Sequence, residues 1–150
     1  MTHSLETILE ALQATFPALS LDTRAMLTDE TVISVPGDVL TEVVGELIES
    51  FDFYHLSTIT GLDTGEGLVL LYHFWNIHGL TLYVALPYTE ARVPTLTELI
   101  PGVAMYEREI HEMLGVDFTG LETSAPFLLP DDWDDTLPLR KQAVESEDEV

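Results

Sequence analysis

The sequence predicts an α+β fold: a single domain with a mostly antiparallel sheet packed by helices, followed by an extended C-terminal tail. Three observations carry this expectation. Helical spacing of apolar residues recurs near the N-terminus, after Pro36 and after Pro101. Three strand-sized apolar runs follow one another between residues 53 and 86, separated by turn residues. After Gly120 the periodicity stops and Pro126, Pro130 and Pro138 interrupt any helix or ladder. A length of 150 residues suits one domain, burying about two thirds of the surface its unfolded chain exposes.

In chain order, Ser4 is placed to cap a helix whose apolar face is Leu5, Ile8, Leu9 and Leu12, and Pro17 lies beyond its end. Leu21 to Val35 suits an extended pair turning at Thr28-Asp29-Glu30, with Val32, Ile33 and Val35 favouring a pleated strand. Pro36-Gly37-Asp38 opens a second helix, in which Val39, Leu40, Val43, Val44, Leu47 and Ile48 recur at helical spacing while Glu42, Glu46 and Glu49 face water. Gly45 inside that helix predicts a close packing contact, because glycine weakens a helix interior.

Phe53 to Thr60, Leu68 to Trp75 and Leu80 to Leu86 then read as an antiparallel meander, joined by the glycine-rich turn 61–67 and by Asn76-Ile77-His78-Gly79. The middle run is apolar almost throughout, which predicts a central strand covered on both faces. Pro87 ends the last strand, and Thr95 to Leu99 is expected to form a short helix. From Met105 to Asp117 one amphipathic helix is expected. Tyr106, Ile110, Met113 and Leu114 form its packing stripe, Glu107, Arg108 and Glu112 its charged side, and Gly115 its left-handed stop. Arg108 with Glu112, and Glu107 with His111, stand four residues apart and are expected to pair on the surface.

The domain is thus expected over residues 1–120 and a partner-wrapping tail over 121–150. In the tail Phe127, Leu128, Leu129 and Trp133 are too apolar for a solvated linker, and an acidic, disordered end begins at about Glu145. Pro130-Asp131-Asp132-Trp133 reads as a turn.

Composition narrows the function classes. The formal charge of −22 repels phosphate backbones and anionic lipid, so no nucleic-acid partner is expected and a basic protein surface fits better, salt adaptation being an alternative cause of the acidity. Without cysteine the chain cannot supply thiolate catalysis or all-cysteine cluster ligation. No apolar run reaches the roughly 18 residues of a membrane span. No basic-then-apolar leader is seen either, so a cytoplasmic location is expected. His111 with Glu107 and Glu112 lacks the second histidine of the zinc-protease pattern, and the aspartates at 131, 132, 134 and 135 lack the glycine and spaced glutamate of a calcium hand. No nucleophile elbow, phosphate loop or dinucleotide fingerprint is present. The chain has four Arg and one Lys, yet Arg108, Arg140 and Lys141 all fall between the last helix and the tail. The residues taken alone describe a non-catalytic acidic module, for which a free-standing adaptor of basic proteins remains a reading.

Three ordered motifs go further. Tyr106-Glu107-Arg108-Glu109-Ile110-His111-Glu112-Met113-Leu114-Gly115-Val116-Asp117-Phe118-Thr119-Gly120, then Leu128-Leu129-Pro130-Asp131-Asp132-Trp133, then Pro138-Leu139-Arg140-Lys141, resemble one family. The chain is similar to the thirty-kilodalton (C-type) subunit of respiratory complex I, the NADH:quinone oxidoreductase, and to its relatives in energy-converting membrane-bound hydrogenases. Phe53 to Thr60 and Leu71-Tyr72-His73-Phe74 fit the same layout. The resemblance implies a cluster-free subunit of the peripheral arm, on the cytoplasmic side of the membrane, with no catalytic, cofactor or metal residues of its own. It implies docking on a large hydrogenase-like subunit beside cluster-binding subunits that hold the iron–sulfur clusters. Glu107, Arg108 and Glu109 match the family's signature triplet, and Arg140 and Lys141 its terminal motif. With Glu112 and Trp133 these are expected to be interface or structural ion-pair residues. The chain departs from the pattern over 121–127, where the family carries a His-Pro step and arginines. It also has Ile110-His111-Glu112 where complex I relatives tend to have Tyr-Asp, which favours the hydrogenase-like branch.

Overall fold

The computed structural model describes residues 3–20 and 31–141. The expected turn at Thr28-Asp29-Glu30 and the acidic end from Glu145 lie outside these residues.

Helix α1 (Leu5–Thr15) starts where the sequence places it: Ser4 Oγ accepts from Thr7 N–H at 3.3 Å, and Ile8 and Leu12 are buried. Strand β1 (Thr31–Ser34) leads into α2 (Leu40–Phe51), whose buried residues Leu40, Val43, Val44, Leu47 and Phe51 follow the helical stripe. The meander is β2 (His55–Asp63), β3 (Leu68–Asn76) and β4 (His78–Leu86). Both links are tighter than expected, because β2 continues through Gly61, Leu62 and Asp63 and only Ile77 separates β3 from β4. A parallel pair, β5 (Arg92–Pro94) and β6 (Asp117–Thr119), brackets helix α3 (Ala104–Leu114).

The main sheet runs β1-β4-β3-β2, with β1 parallel to β4 and the other two pairings antiparallel. Its register sets Ile33, Leu82, Tyr72 and Ile59 in one row across the four strands. These residues and their alternating neighbours Leu68, Leu70, Phe74, Leu80, Val84 and Leu86 share one core with the buried faces of α1, α2 and α3. β3 is central as expected, but the helices cover one of its faces. On the other, Val69 is buried while Trp75 is 55% exposed. An antiparallel meander needs no crossover helices, so its second face is left to polar and edge residues. There His73 spans the sheet, its Nε2 and Nδ1 each 3.0 Å from the hydroxyls of Thr60 and Thr81.

Two local expectations differ. A side chain at Gly45 would meet nothing within 4 Å, so its glycine marks no close contact. Thr95 to Leu99 forms a single turn, with Leu99 N–H and Ile100 N–H both donating to Leu96 O at 3.1 and 2.8 Å, because so short a segment cannot offset helix nucleation. The close approach is instead at Gly61, where a Cβ would lie 2.6 Å from Leu114 Cδ1, and this lets α3 sit down on β2.

Candidate interaction site: a strap held on the last helix

Helix α3 is the element that positions the candidate residues. Its glycine stop is as the sequence predicts: Gly115 adopts φ 74° and its N–H donates to His111 O at 3.0 Å, while Val116 is fully buried. The charge pattern on the helix differs from the expected one. Glu107 is 0% exposed, accepting from Leu96 N–H at 2.8 Å and from the Thr95 hydroxyl at 2.5 Å. Burial pushes its carboxyl above the usual carboxylate range, and the two hydrogen bonds offset only part of that rise. The expected surface pair with His111 therefore does not form. His111 Nδ1–H donates instead to Val116 O at 2.8 Å, as a side chain on the last turn can. Behind Glu107, the buried Tyr72 hydroxyl finds no protein partner, and burial followed by the Glu107 charge raises its pKa.

Residues 121–141 have no regular secondary structure and run back along α3 as a strap. Glu112 and Arg108 fix its first half. Glu112 Oε1 accepts from Phe127 N–H at 2.5 Å, and Oε2 from Leu128 and Leu129 N–H at 2.7 and 3.2 Å. Partial desolvation alone raises the Glu112 pKa, but the three backbone donors and the nearby Arg108 charge outweigh it and hold the carboxyl below its usual range. Arg108 Nη2 donates to Ala125 O at 3.1 Å, and its guanidinium lies 4.6 Å from the centre of the Phe127 ring. Arg108 and Glu112 thus meet through the strap as well as by charge.

The second half closes over the helix end. Leu139 N–H donates to Met113 O at 3.0 Å and Arg140 Nε to Leu114 O at 2.5 Å, so the last α3 carbonyls find partners in the strap. A Cβ on Gly115 would lie 2.7 Å from Leu137 Cδ1, so the absent side chain admits the strap. Lys141 N–H donates to Asp63 Oδ2 at 2.7 Å, while the Tyr88 hydroxyl donates to Asp63 Oδ1 and its ring stacks beneath Arg140. The Tyr88 bond and that from Gly65 N–H hold the Asp63 carboxyl below its usual range. Between the two halves, Trp133 N–H closes the expected turn onto Pro130 O at 3.1 Å and the indole donates to Thr136 O at 2.9 Å. A cavity of about 350 Å³ remains beneath this turn, lined by Arg108, His111, Trp133 and Leu137 among others.

The structure therefore gathers Arg108, Glu112, Trp133, Arg140 and Lys141 along one helix-and-strap unit, leaves Glu109 exposed on α3, and buries Glu107 away from it. The strap turns three apolar side chains outward: Leu128, Trp133 and Leu139 are 54%, 41% and 58% exposed. Asp63, Tyr88 and Thr95 are participants the sequence reading missed. A signal existed for Glu107, which shares the i, i+3, i+7 stripe with Ile110 and Leu114. Among the described residues no group of His, Asp and Glu side chains is arranged to hold a metal ion. No helix among them is long and apolar enough to cross a membrane.

Comparison with known proteins gives this geometry its context. A family model described as "Respiratory-chain NADH dehydrogenase, 30 Kd subunit" matches residues 33–149. The C-type subunit of the NADH-quinone oxidoreductase of Moorella thermoacetica is 31% identical over 142 residues, covering 91% of this chain and 93% of that protein. Hydrogenase-4 component G of Escherichia coli is 32% identical over 148 residues, which are 93% of this chain, and the match spans 26% of that longer protein. Among solved structures, a chain of the membrane-bound sulfane sulfur reductase, an archaeal respiratory membrane complex, superposes with a TM-score of 0.78 at 27% identity, covering 90% of this chain and 82% of that one. A trypsin-resistant fragment of Nqo5 shares the fold, with a TM-score of 0.66 at 22% identity over 79% of this chain and 97% of the fragment.

Proposed function

The chain belongs to the respiratory-chain NADH dehydrogenase 30 kDa subunit family, and on that premise we propose that it braces a partner subunit in a membrane-bound oxidoreductase without catalysing anything itself. The partner is a large hydrogenase-like subunit in the peripheral arm of the assembly, on the cytoplasmic side of the membrane. Cluster-binding subunits of the same complex carry the iron–sulfur clusters and the electrons, and ion translocation is a property of the whole. The chain itself offers the helix-and-strap surface, where Arg108, Arg140 and Lys141 lie.

The observation that carries this reading is the strap. A segment of 21 residues without helix or strand is fastened by backbone-directed bonds from Glu112, Arg108 and Arg140, and those bonds leave Leu128, Trp133 and Leu139 facing outward. Large apolar side chains held at fixed positions on a polar frame are what an interface core requires. Preorganisation lowers the ordering cost of association. A large subunit held in register keeps its catalytic groups in a geometry that a displacement of about an ångström would lose.

The relatives divide between NADH-quinone oxidoreductases and hydrogenases at similar identity, 31% and 32%. The equivalent subunit of an energy-converting [NiFe] hydrogenase is therefore the alternative within the same class, and whether the purified assembly reduces quinone or evolves hydrogen separates the two. The test of the brace is purification from native membranes through a tag on this chain. Recovery with a large hydrogenase-like subunit and cluster-binding chains is expected. Migration as a free monomer would defeat the proposal and favour a free-standing adaptor.

A further inference from the structure

The end of the main sheet opposite Asp63 carries a second apolar patch that the strap does not use. Tyr54 and Ile77 are 62% and 59% exposed, and Trp75 lies beside them. Backbone geometry brings the three together. His55 pairs with Trp75 across β2 and β3, and Asn76 pairs with His78, so Ile77 alone makes the turn. Asn76 Nδ2 donates to the carbonyls of Phe51 and Asp52 at 3.1 and 3.2 Å, tying the α2–β2 link that holds Tyr54 to the hairpin tip.

Ile77 is held at φ 62°. Glycine or asparagine adopts that conformation readily, whereas a β-branched side chain there is an outlier. Its side chain is mostly exposed, so a strained backbone position displays an apolar group. Trp and Tyr beside it are the residue types that most often anchor interfaces.

Charge narrows the occupant. The Lys and Arg of the described residues are Arg92, Arg108, Arg140 and Lys141. Lys141 and Arg140 meet Asp63 and Tyr88 at the far ends of β2 and β4, and Arg92 pairs with Asp117. A nine-residue strand spans roughly 30 Å, several times the screening length of about 8 Å. The tip therefore lies beyond Arg92, Arg140 and Lys141, Arg108 is engaged by the strap, and Glu49 and Asp52 are exposed beside the tip. A second copy of this chain would bring the same negative potential, and an anionic lipid surface would be repelled.

We infer that the hairpin tip, with Ile77 at its apex between Trp75 and Tyr54, docks into an apolar pocket rimmed by Lys and Arg on a protein partner, through a contact separate from the strap. A photoreactive benzophenone amino acid in place of Ile77, in the full chain within its native membrane assembly, reads this directly, with the same probe at Leu128 reporting on the strap. Position 77 is expected to capture one protein through a peptide containing Lys or Arg, different from the peptide captured at position 128. Added before irradiation, untagged Ile77→Asn chain should suppress formation of that adduct about tenfold less well than the natural chain, as loss of an anchor residue does. Its thermal midpoint should be equal or higher, because asparagine tolerates the backbone angle. An adduct with lipid or with a second copy, no protein adduct at position 77, or unweakened competition by Ile77→Asn would overturn the inference. Capture at 77 with none at 128 would leave it standing while removing the strap contact.

Discussion

Glu112→Ala should release the first half of the strap without unfolding the domain. In the natural chain both carboxylate oxygens are engaged by three consecutive N–H groups at 2.5, 2.7 and 3.2 Å. Hydrogen bonds to a charged group contribute about 1.5–3 kcal/mol each when well shielded. Glu112 is half-buried, so solvent screening reduces that to about 1 kcal/mol per bond, or about 2–3 kcal/mol for the set. Every 1.4 kcal/mol is a factor of ten, so amide-exchange protection at residues 127–129 should fall by about 30- to 100-fold, while amides of β3 and β4 keep theirs. Glu112→Gln retains one accepting oxygen and should fall between the two. The sign of the pH dependence follows from a carboxyl whose folded pKa is lowered. The strap is fully held above the free glutamate pKa of about 4.3, and its attachment is lost as pH falls through the lower folded value. Hydrogen exchange by mass spectrometry on peptides spanning 125–131 measures all of this. Protection unchanged in Glu112→Ala would refute the idea that this carboxylate fastens the strap.

Other substitutions test the remaining contacts. Glu107→Ala strips a buried acceptor from Leu96 N–H and leaves a cavity, so it should cost about 3 kcal/mol in denaturant unfolding, whereas Glu107→Gln can keep that bond and should lie within about 1 kcal/mol. Because the folded pKa of Glu107 is raised, its contribution is most favourable below the unfolded pKa and declines as pH rises through the folded one. Stability of Glu107→Gln relative to the natural chain should therefore improve from acid to neutral pH, and a constant difference would contradict this. Gly45→Ala meets no atom within 4 Å and should stabilise by about 0.5–1 kcal/mol, while Gly61→Ala drives a Cβ into Leu114 and should destabilise by about 1–3 kcal/mol. Thermal or denaturant melts of the pair should move in opposite directions.

Much of the domain is legible in the sequence because its signals are local. Ser4 before an apolar stripe, the alternation within 53–86 and Gly115 after Leu114 each declare an element through its own neighbours. What escapes that reading is non-local or disguised. The parallel pairing of β1 with β4 joins residues about 50 positions apart, and no spacing in either strand announces it. β5 and β6 are three residues each, below the length at which alternation can be seen, and Pro94 sits in one of them. Glu107 is disguised by its charge: it occupies a core position of the α3 stripe but reads as solvent-facing until Thr95 and Leu96 arrive to satisfy it. The strap has apolar residues and prolines but no period, so its composition indicates contact with something. Only the positions of Glu112, Arg108 and Gly115 show that the first thing it contacts is its own helix.

Hydroxyl-radical footprinting of the isolated chain and of the assembly from native membranes compares the same side chains free and bound. Trp133, Leu128 and Leu139, exposed on the isolated strap, should become strongly protected within the assembly, while exposed side chains distant from both the strap and the hairpin tip keep their reactivity. Equal reactivity of these three residues in both states would contradict a brace built on the strap.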